Sequence, residues 1–424
     1  MPGHKGNHPD EVLREISRWD ITEVSGADSL FEADGVLLES EENTSALYGS
    51  AHTSFSAGGS TLCIQAMVAL TCRPGDTIIA ARNAHKAFLN ACTLLDVEPH
   101  WICPRYNDSF GVSGEVTAES VEAAITACPE AKAVYLTSPD YLGCISDIAA
   151  ISGVCRAHAM PLLVDNAHGA HLHFLPEDRH PLTLGATLCC DSAHKTLPVL
   201  TGGAYLHVSR AASYTKEQVK NAMALFGSTS PSYLILLSLD LNNCYLAERG
   251  REDFARLEQT VAGLCGRAAE KGFRPISERF DATKLTLDAY AVGMTGTALA
   301  DHFRAHDVEC EYAARRHMVL MLSPQNTKWD VERACEALDS IIPAPPICDG
   351  EEGFAIPERV LGLREACFAP SERVDVDHAL GRVSAEVKIK CPPGVPIVVA
   401  GERIDERVQK LLKRSSIFGL NVVK

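Results

Sequence analysis

A chain of 424 residues is long enough for two or three domains of about 150 residues each and for a large buried core. Hydrophobic residues make up 46% and charged residues 22%, ordinary globular usage that excludes collagen-like, low-complexity and largely disordered chains. The 39 Lys+Arg against 55 Asp+Glu leave a formal net charge of −16, which repels a phosphate backbone, argues against nucleic-acid binding and at most enriches small cations near the surface.

The chain opens Met1-Pro2-Gly3-His4-Lys5-Gly6 with no apolar leader core, and nowhere reaches the roughly 18 consecutive apolar residues of a membrane span. A cytoplasmic protein with no membrane partner is expected. From about residue 60 to 210, short apolar runs alternate with helical patterns, the signature of a βαβ parallel sheet buried on both faces. Strands are predicted over residues 77–80, 133–136, 161–164, 187–190 and 203–208, and helices over 60–70, 87–94 and 116–127.

Between about 282 and 341 a smaller α/β unit is predicted: extended 283–292, helix 298–305, extended 309–323, helix 330–341. Ile342-Pro343-Ala344-Pro345-Pro346 has linker composition, and a last segment passes through Pro392-Pro393-Gly394 to a terminal helical piece. The 16 cysteines sit in core-like strings such as Thr61-Leu62-Cys63-Ile64 and Leu188-Cys189-Cys190, without CxxC or paired metal spacing. They are expected to be reduced and buried, and no metal site is expected.

The most informative segments are Val164-Asp165-Asn166-Ala167-His168-Gly169 and Asp191-Ser192-Ala193-His194-Lys195. In each, an apolar strand hands over a polar cluster at its C-terminal end, where open α/β sheets place ligands. An acid and a lysine emerging from buried strands need each other or a ligand. Pyridoxal phosphate uses both, the amine as a Schiff base and the carboxylate to keep the pyridine nitrogen protonated. Taken singly, Asp165 reads better as a strand-end cap and Lys195 as a solvated lysine.

Three more clusters share the segment order. Ser56-Ala57-Gly58-Gly59-Ser60-Thr61 precedes an apolar helical run, so its hydroxyls and the helix N-terminus suit a phosphate, although Ser and Thr also cap helices with no ligand. In Arg82-Asn83-Ala84-His85-Lys86 the histidine is either a ring that stacks on an aromatic cofactor or a polar turn residue starting a helix. Ser228-Thr229-Ser230-Pro231-Ser232-Tyr233 reads by itself as a helix N-cap with proline just inside.

Together these strings resemble the bacterial Orn/Lys/Arg decarboxylases, pyridoxal-phosphate enzymes with the aspartate aminotransferase-like fold. The resemblance rests on Pro2-Gly3-His4-Lys5-Gly6, Asp20-Ile21-Thr22-Glu23, Gly58-Gly59-Ser60-Thr61, Asn83-Ala84-His85-Lys86, Asp165-Asn166-Ala167-His168-Gly169, Ser192-Ala193-His194-Lys195, Ser228 to Tyr233, Gly381-Arg382-Val383-Ser384-Ala385-Glu386 and Pro392-Pro393-Gly394. It implies an α/β fold of type I: an arm over residues 1–45, a cofactor-binding large domain with a mainly parallel sheet over 46–275, a small α/β domain over 276–343 and a family-type C-terminal segment over 344–424.

The resemblance further implies that Lys195 is the Schiff-base lysine, that Asp165 pairs with the pyridine nitrogen, that His85 stacks on the ring and that His168 hydrogen-bonds the cofactor's phenolic oxygen. Ser60, Thr61 and Ser192 hold the phosphate, with Thr229 reaching it from a neighbouring subunit in a homodimer or larger assembly. His194 contacts cofactor or substrate and handles a proton. The implied reaction is decarboxylation of arginine, lysine or ornithine, with Glu386 or Glu23 as the acid for the distal cation. An aminotransferase and a catalytically silent paralogue are the alternatives. Two departures from the pattern are the absence of residues ahead of the Pro-Gly-His-Lys-Gly string and Lys390-Cys391 in place of Pro-Tyr, which bears on substrate fit.

Overall fold

The computed structural model describes residues 1–104, 106–107, 112–113, 115–274, 279–348, 355–390 and 395–424. The chain forms two compact units: Met1–Cys72, Ala133–Tyr135 and Ile148–Glu252 make the first, and Arg73–Lys132, Leu136–Asp147 and Asp253–Lys424 the second.

In the first unit the strands Leu162–Asp165 and Leu188–Asp191 pair in parallel, with Asp165 opposite Cys190. Leu188–Asp191 then pairs antiparallel with Ala204–Val208, which pairs antiparallel with His52–Ser56. Every residue of the strands Leu162–Asp165, Leu188–Asp191 and Ala204–Val208 is buried, as uninterrupted apolar runs demand of a sheet covered on both faces. The departure from parallel pairing in this unit comes at Ala204–Val208. Its connection from Leu188–Asp191 contains only the four-residue helix Ala193–Thr196, too little for the covering crossover helix that a parallel return requires. Helix Gly59–Thr71 follows His52–Ser56 and buries Leu62, Cys63, Ile64, Ala66, Met67 and Val68.

In the second unit Thr77–Ala81 and Glu98–Ile102 pair in parallel around helix Lys86–Leu95, a βαβ unit whose second strand is not among those predicted. The smaller α/β region is present as Lys284–Asp288, His317–Met321 and Tyr312–Ala313 in one antiparallel sheet, with helices Gly296–Arg304 and Lys328–Asp339. Leu285, Leu287, Leu299, Phe303, Met318 and Leu338 share its core. Two predicted extended stretches are shorter than expected. The first stops at Asp288, whose side chain accepts from the Tyr290 N–H and starts the turn Ala289–Val292; the second is two strands of a tight reversal, with the Ala314 N–H donating to the His317 carbonyl (2.8 Å).

The C-terminal segment has its own core of Val376, Ile397, Val398, Ile404, Leu412 and Leu420. Its helix Glu406–Arg414 is followed by a strand, Gly419–Val423, so the chain ends extended rather than helical. Arg82, fully buried, donates through both terminal nitrogens to Glu402 (2.6 and 2.7 Å) and ties the strand Thr77–Ala81 to this segment. Cys391 and Pro392-Pro393-Gly394 lie outside the described residues.

Candidate active site

Asp165 is the last residue of its strand and is 1% exposed. Three donors reach its carboxylate: the Tyr135 hydroxyl at Oδ2 (3.1 Å), and the Ala167 N–H (3.1 Å) and the Cys190 thiol (3.7 Å) at Oδ1. None of the three is charged. The chain then turns within Asn166 to Gly169, closed by the Gly169 N–H on the Asn166 carbonyl (2.8 Å). A Cβ on Gly169 would stand 2.0 Å from Asn166 Oδ1, so only glycine fits that close approach.

The neighbouring strand delivers Asp191, Ser192 and the short helix carrying His194 and Lys195. Lys195 Nζ and His168 Nε2 lie 3.1 Å apart, and among the described residues this imidazole is the only hydrogen-bond partner of the amine. His194 Nδ1 donates to the Gly203 carbonyl (2.9 Å), which fixes the ring and directs any further proton transfer through Nε2. The Ser192 hydroxyl donates to Ser60 Oγ (2.7 Å), bringing together two hydroxyls from segments far apart in the chain.

Ser60 and Thr61 stand in the first turn of helix Gly59–Thr71, and Gly59 has φ +67°, a left-handed conformation. Ser56 Oγ accepts from the Gly58 N–H (3.1 Å) and donates to the Gly59 carbonyl (3.0 Å), shaping the loop that feeds the helix. The Gly59 N–H is taken by the Gly202 carbonyl (2.7 Å), so the N–H groups of Ser60 and Thr61, the positive end of the helix dipole and two side-chain hydroxyls form a site with the chemistry to bind a phosphate.

The first unit therefore brings together Asp165, His168, Ser192, His194, Lys195, Ser60 and Thr61. Thr229 is exposed in the same unit, ahead of helix Tyr233–Tyr245; that helix is capped by Ser232, so Pro231 lies just outside it and not inside. His85 belongs to the second unit, where it is exposed and N-caps helix Lys86–Leu95, its Nδ1 accepting from the Ala87 N–H (3.2 Å). Of the two acids considered for a distal cation, Glu386 is engaged through Oε1 by the Asn421 N–H (2.6 Å) and the Lys388 amine (3.0 Å), whereas Glu23 is exposed.

Sequence reasoning missed Asp191. Its fully buried carboxylate accepts at Oδ2 from His180 Nε2 (3.0 Å) and His207 Nε2 (3.2 Å), and at Oδ1 from the Asn166 amide (2.8 Å). Burial alone would raise its pKa, but the two imidazoles override it and hold the group far below the usual carboxylate range. Burial also lowers His207. Although this His2Asp set has the composition of a metal site, the Leu182 N–H points at His180 Nδ1 (3.3 Å), so that ring carries its proton on Nε2, toward Asp191. The cluster is a hydrogen-bonded anchor for the turn after Asp165. Only the adjacent Asp191-Ser192 pairing hinted at it in the sequence.

The Orn/Lys/Arg decarboxylase major domain matches residues 11–263, and the Orn/Lys/Arg decarboxylase C-terminal domain matches residues 363–418. YaaO of Bacillus subtilis (strain 168) is 33% identical over 444 residues, covering 98% of this chain and 91% of YaaO. The arginine decarboxylase of the same organism is 30% identical over 448 residues, covering 100% and 91%. Among solved structures, the Escherichia coli constitutive lysine decarboxylase superposes with a TM-score of 0.81 at 19% identity, over 100% of this chain and 79% of that one. A Thermus thermophilus aspartate aminotransferase superposes with a TM-score of 0.60 at 14% identity, over 72% and 90%, which places the fold in the aspartate aminotransferase-like class. With its strand-end Asp165 and Lys195 in one unit, and both family domains matched in order, the chain belongs to the Orn/Lys/Arg decarboxylase family of amino-acid decarboxylases.

Proposed function

We propose that the protein decarboxylates a basic amino acid, with pyridoxal 5'-phosphate as its cofactor, to give agmatine from arginine, cadaverine from lysine or putrescine from ornithine. One observation carries the reading: two complementary charges stand in one unit, and among the described residues neither has an oppositely charged hydrogen-bond partner. Asp165 is buried among uncharged donors, and Lys195 has a single imidazole as partner. An isolated buried carboxylate is costly, and a protonated pyridine nitrogen is the cation that would match it. The donor set at Ser60, Thr61 and Ser192 fits the phosphate of the same group.

When bound, the cofactor supplies an electron-accepting ring for the carbanion left by loss of carbon dioxide. The chain's own residues do the rest. Asp165 holds the proton on the pyridine nitrogen. Lys195 would hold the cofactor through its amine, and that amine would be available as a local acid or base. His168 would take the phenolic oxygen, His194 would move a proton through Nε2, and His85 would cover the ring. Thr229 reaches the phosphate from a neighbouring subunit. The exposed side chains of Val12, Leu13, Ile16 and Trp19, which a lone protomer leaves in water, support a dimer or larger assembly.

The domain boundaries inferred from the resemblance, 1–45, 46–275, 276–343 and 344–424, belong to this proposal, as does a cytoplasmic location. No described helix is long and apolar enough to cross a membrane. Arginine is the first substrate to test, because a relative named arginine decarboxylase aligns over the whole chain. Purified protein incubated separately with arginine, lysine and ornithine should release carbon dioxide and the matching amine from at least one. A keto acid in place of carbon dioxide would transfer the protein to the aminotransferases. No turnover of any of the three would favour the silent paralogue.

A further inference from the structure

The strand Val134–Thr137 is buried through Val134, Tyr135 and Leu136 and lies beside Leu162–Asp165, the Val134 N–H donating to the Pro161 carbonyl (2.9 Å). Its neighbours in sequence are aliphatic, and an aliphatic residue would fill a buried strand position without a polar atom. Tyr135 is 0% exposed and puts a phenol there. A buried hydroxyl without a partner costs free energy, so its hydrogen bond identifies what it serves. That bond goes to Asp165 Oδ2 at 3.1 Å.

Asp165 Oδ1 is held by its own turn through the Ala167 N–H and by the adjacent strand through the Cys190 thiol. The Cys190 contact is weak: thiols are poor donors, and burial pushes this one well above its ordinary pKa. Oδ2 is held by the Tyr135 hydroxyl. A carboxylate has about four acceptor sites, so one donor on Oδ2 fixes the group while leaving acceptor capacity on that oxygen.

We propose that Tyr135 is a positioning residue for the cofactor: its hydroxyl orients Asp165 and so sets how tightly the chain holds a protonated pyridine nitrogen. This rests on the functional reading above, in which Asp165 is the partner of that nitrogen. A hydrogen bond to a charged group contributes a net of about 1.5–3 kcal/mol, so its loss corresponds to roughly a 10- to 100-fold weaker cofactor grip if the bond is fully expressed in binding.

The experiment strips the holoprotein and retitrates it with pyridoxal 5'-phosphate, following the absorbance of the bound cofactor, for wild type, Tyr135→Phe, Cys190→Ala, Asp165→Asn and the Tyr135→Phe/Asp165→Asn double variant. Tyr135→Phe keeps the ring volume and should raise the dissociation constant about 10-fold, Cys190→Ala by less. Because Tyr135 acts through Asp165, the double variant should bind no more weakly than Asp165→Asn alone. A purely structural tyrosine would lower the melting temperature of the stripped protein and leave cofactor affinity, and the pH profile of the bound cofactor's absorbance, where they were.

Affinity of Tyr135→Phe within twofold of wild type, alongside a large drop for Asp165→Asn, would overturn the role of Tyr135 and leave the cofactor assignment standing. Additive losses in the double variant would also overturn it. Wild-type affinity in Asp165→Asn would instead remove Asp165 from the pyridine nitrogen, and the functional reading with it. Should Tyr135→Phe not fold, the Cys190→Ala and Asp165→Asn pair still tests whether donors to this carboxylate set cofactor affinity.

Discussion

At the scale of single residues, the site is a set of side chains whose options have been narrowed by what they touch. His194 has its Nδ1 committed to the Gly203 carbonyl, so His194→Gln should retain cofactor but lose turnover, by about the 10²- to 10⁴-fold ascribed to a positioned proton-transfer group. Single-turnover measurements with the chosen substrate check this; unchanged turnover would exclude His194 from proton transfer. Asp191 should matter for stability rather than chemistry. Asp191→Asn removes the charge that two imidazoles and the Asn166 amide converge on, and should cost about 1.5–3 kcal/mol in denaturant titration. The thiols divide by environment: burial pushes Cys63 up to about 12, whereas Cys244 and Cys348 are exposed. A thiol reagent on the native protein should therefore label Cys244 and Cys348 first and leave Cys63 untouched until unfolding; early labelling of Cys63, mapped by peptide mass, would show that its core opens readily.

At the scale of elements, the strand-to-turn corner after Asp165 combines the two kinds of constraint a site needs. The strand is buried along its length, and the turn is packed so closely that Gly169 has no room for a side chain. Gly169→Ala must displace Asn166, which would carry the disturbance to both Asp165 and the Asp191 anchor. A destabilisation of about 1–3 kcal/mol, accompanied by weaker cofactor retention, is the expected result of thermal denaturation and cofactor titration. Much of this scale was legible in the sequence: apolar runs ending in polar clusters located the strands, and the glycine-hydroxyl string located the helix start at Gly59. The reversal at Ala204–Val208 was not, because a buried strand has the same apolar composition in either direction, and direction follows from the length of the connection.

For the molecule as a whole, buried titratable groups set the pH response. His207 is held below its ordinary 6.5 by burial, so the unfolded chain takes up a proton before the folded one does, and this group's stabilisation is complete above that value and is lost as the pH falls below it. Asp191 acts in the same sense at lower pH, since its folded carboxyl lies far below the ordinary 3.8. Asp140, raised by burial to about 6, acts in the opposite sense: its contribution is present below 3.8 and disappears as the pH rises toward 6. Between pH 7.5 and 6 His207 and Asp140 oppose each other, His207 lowering the melting temperature on acidification and Asp140 raising it, so that of His207→Gln should fall less steeply toward pH 6 than that of wild type. A fall of equal steepness in the variant would assign the acid sensitivity elsewhere.

The amino-acid sequence by itself carried the decarboxylase family, through the order of its motif strings from Pro2 to Gly394, whereas Asp165 and Lys195 taken singly remained ambiguous. It also located the glycine-hydroxyl string that opens helix Gly59–Thr71. What only the tertiary structure decided were the partners of those groups. Tyr135 lies 30 residues from Asp165, and His180 and His207 lie 11 and 16 residues from Asp191, so no local pattern links them. Hydrogen bonds between side chains are set by which strands become neighbours, and that choice is made by burial of the whole sheet rather than by any segment of it.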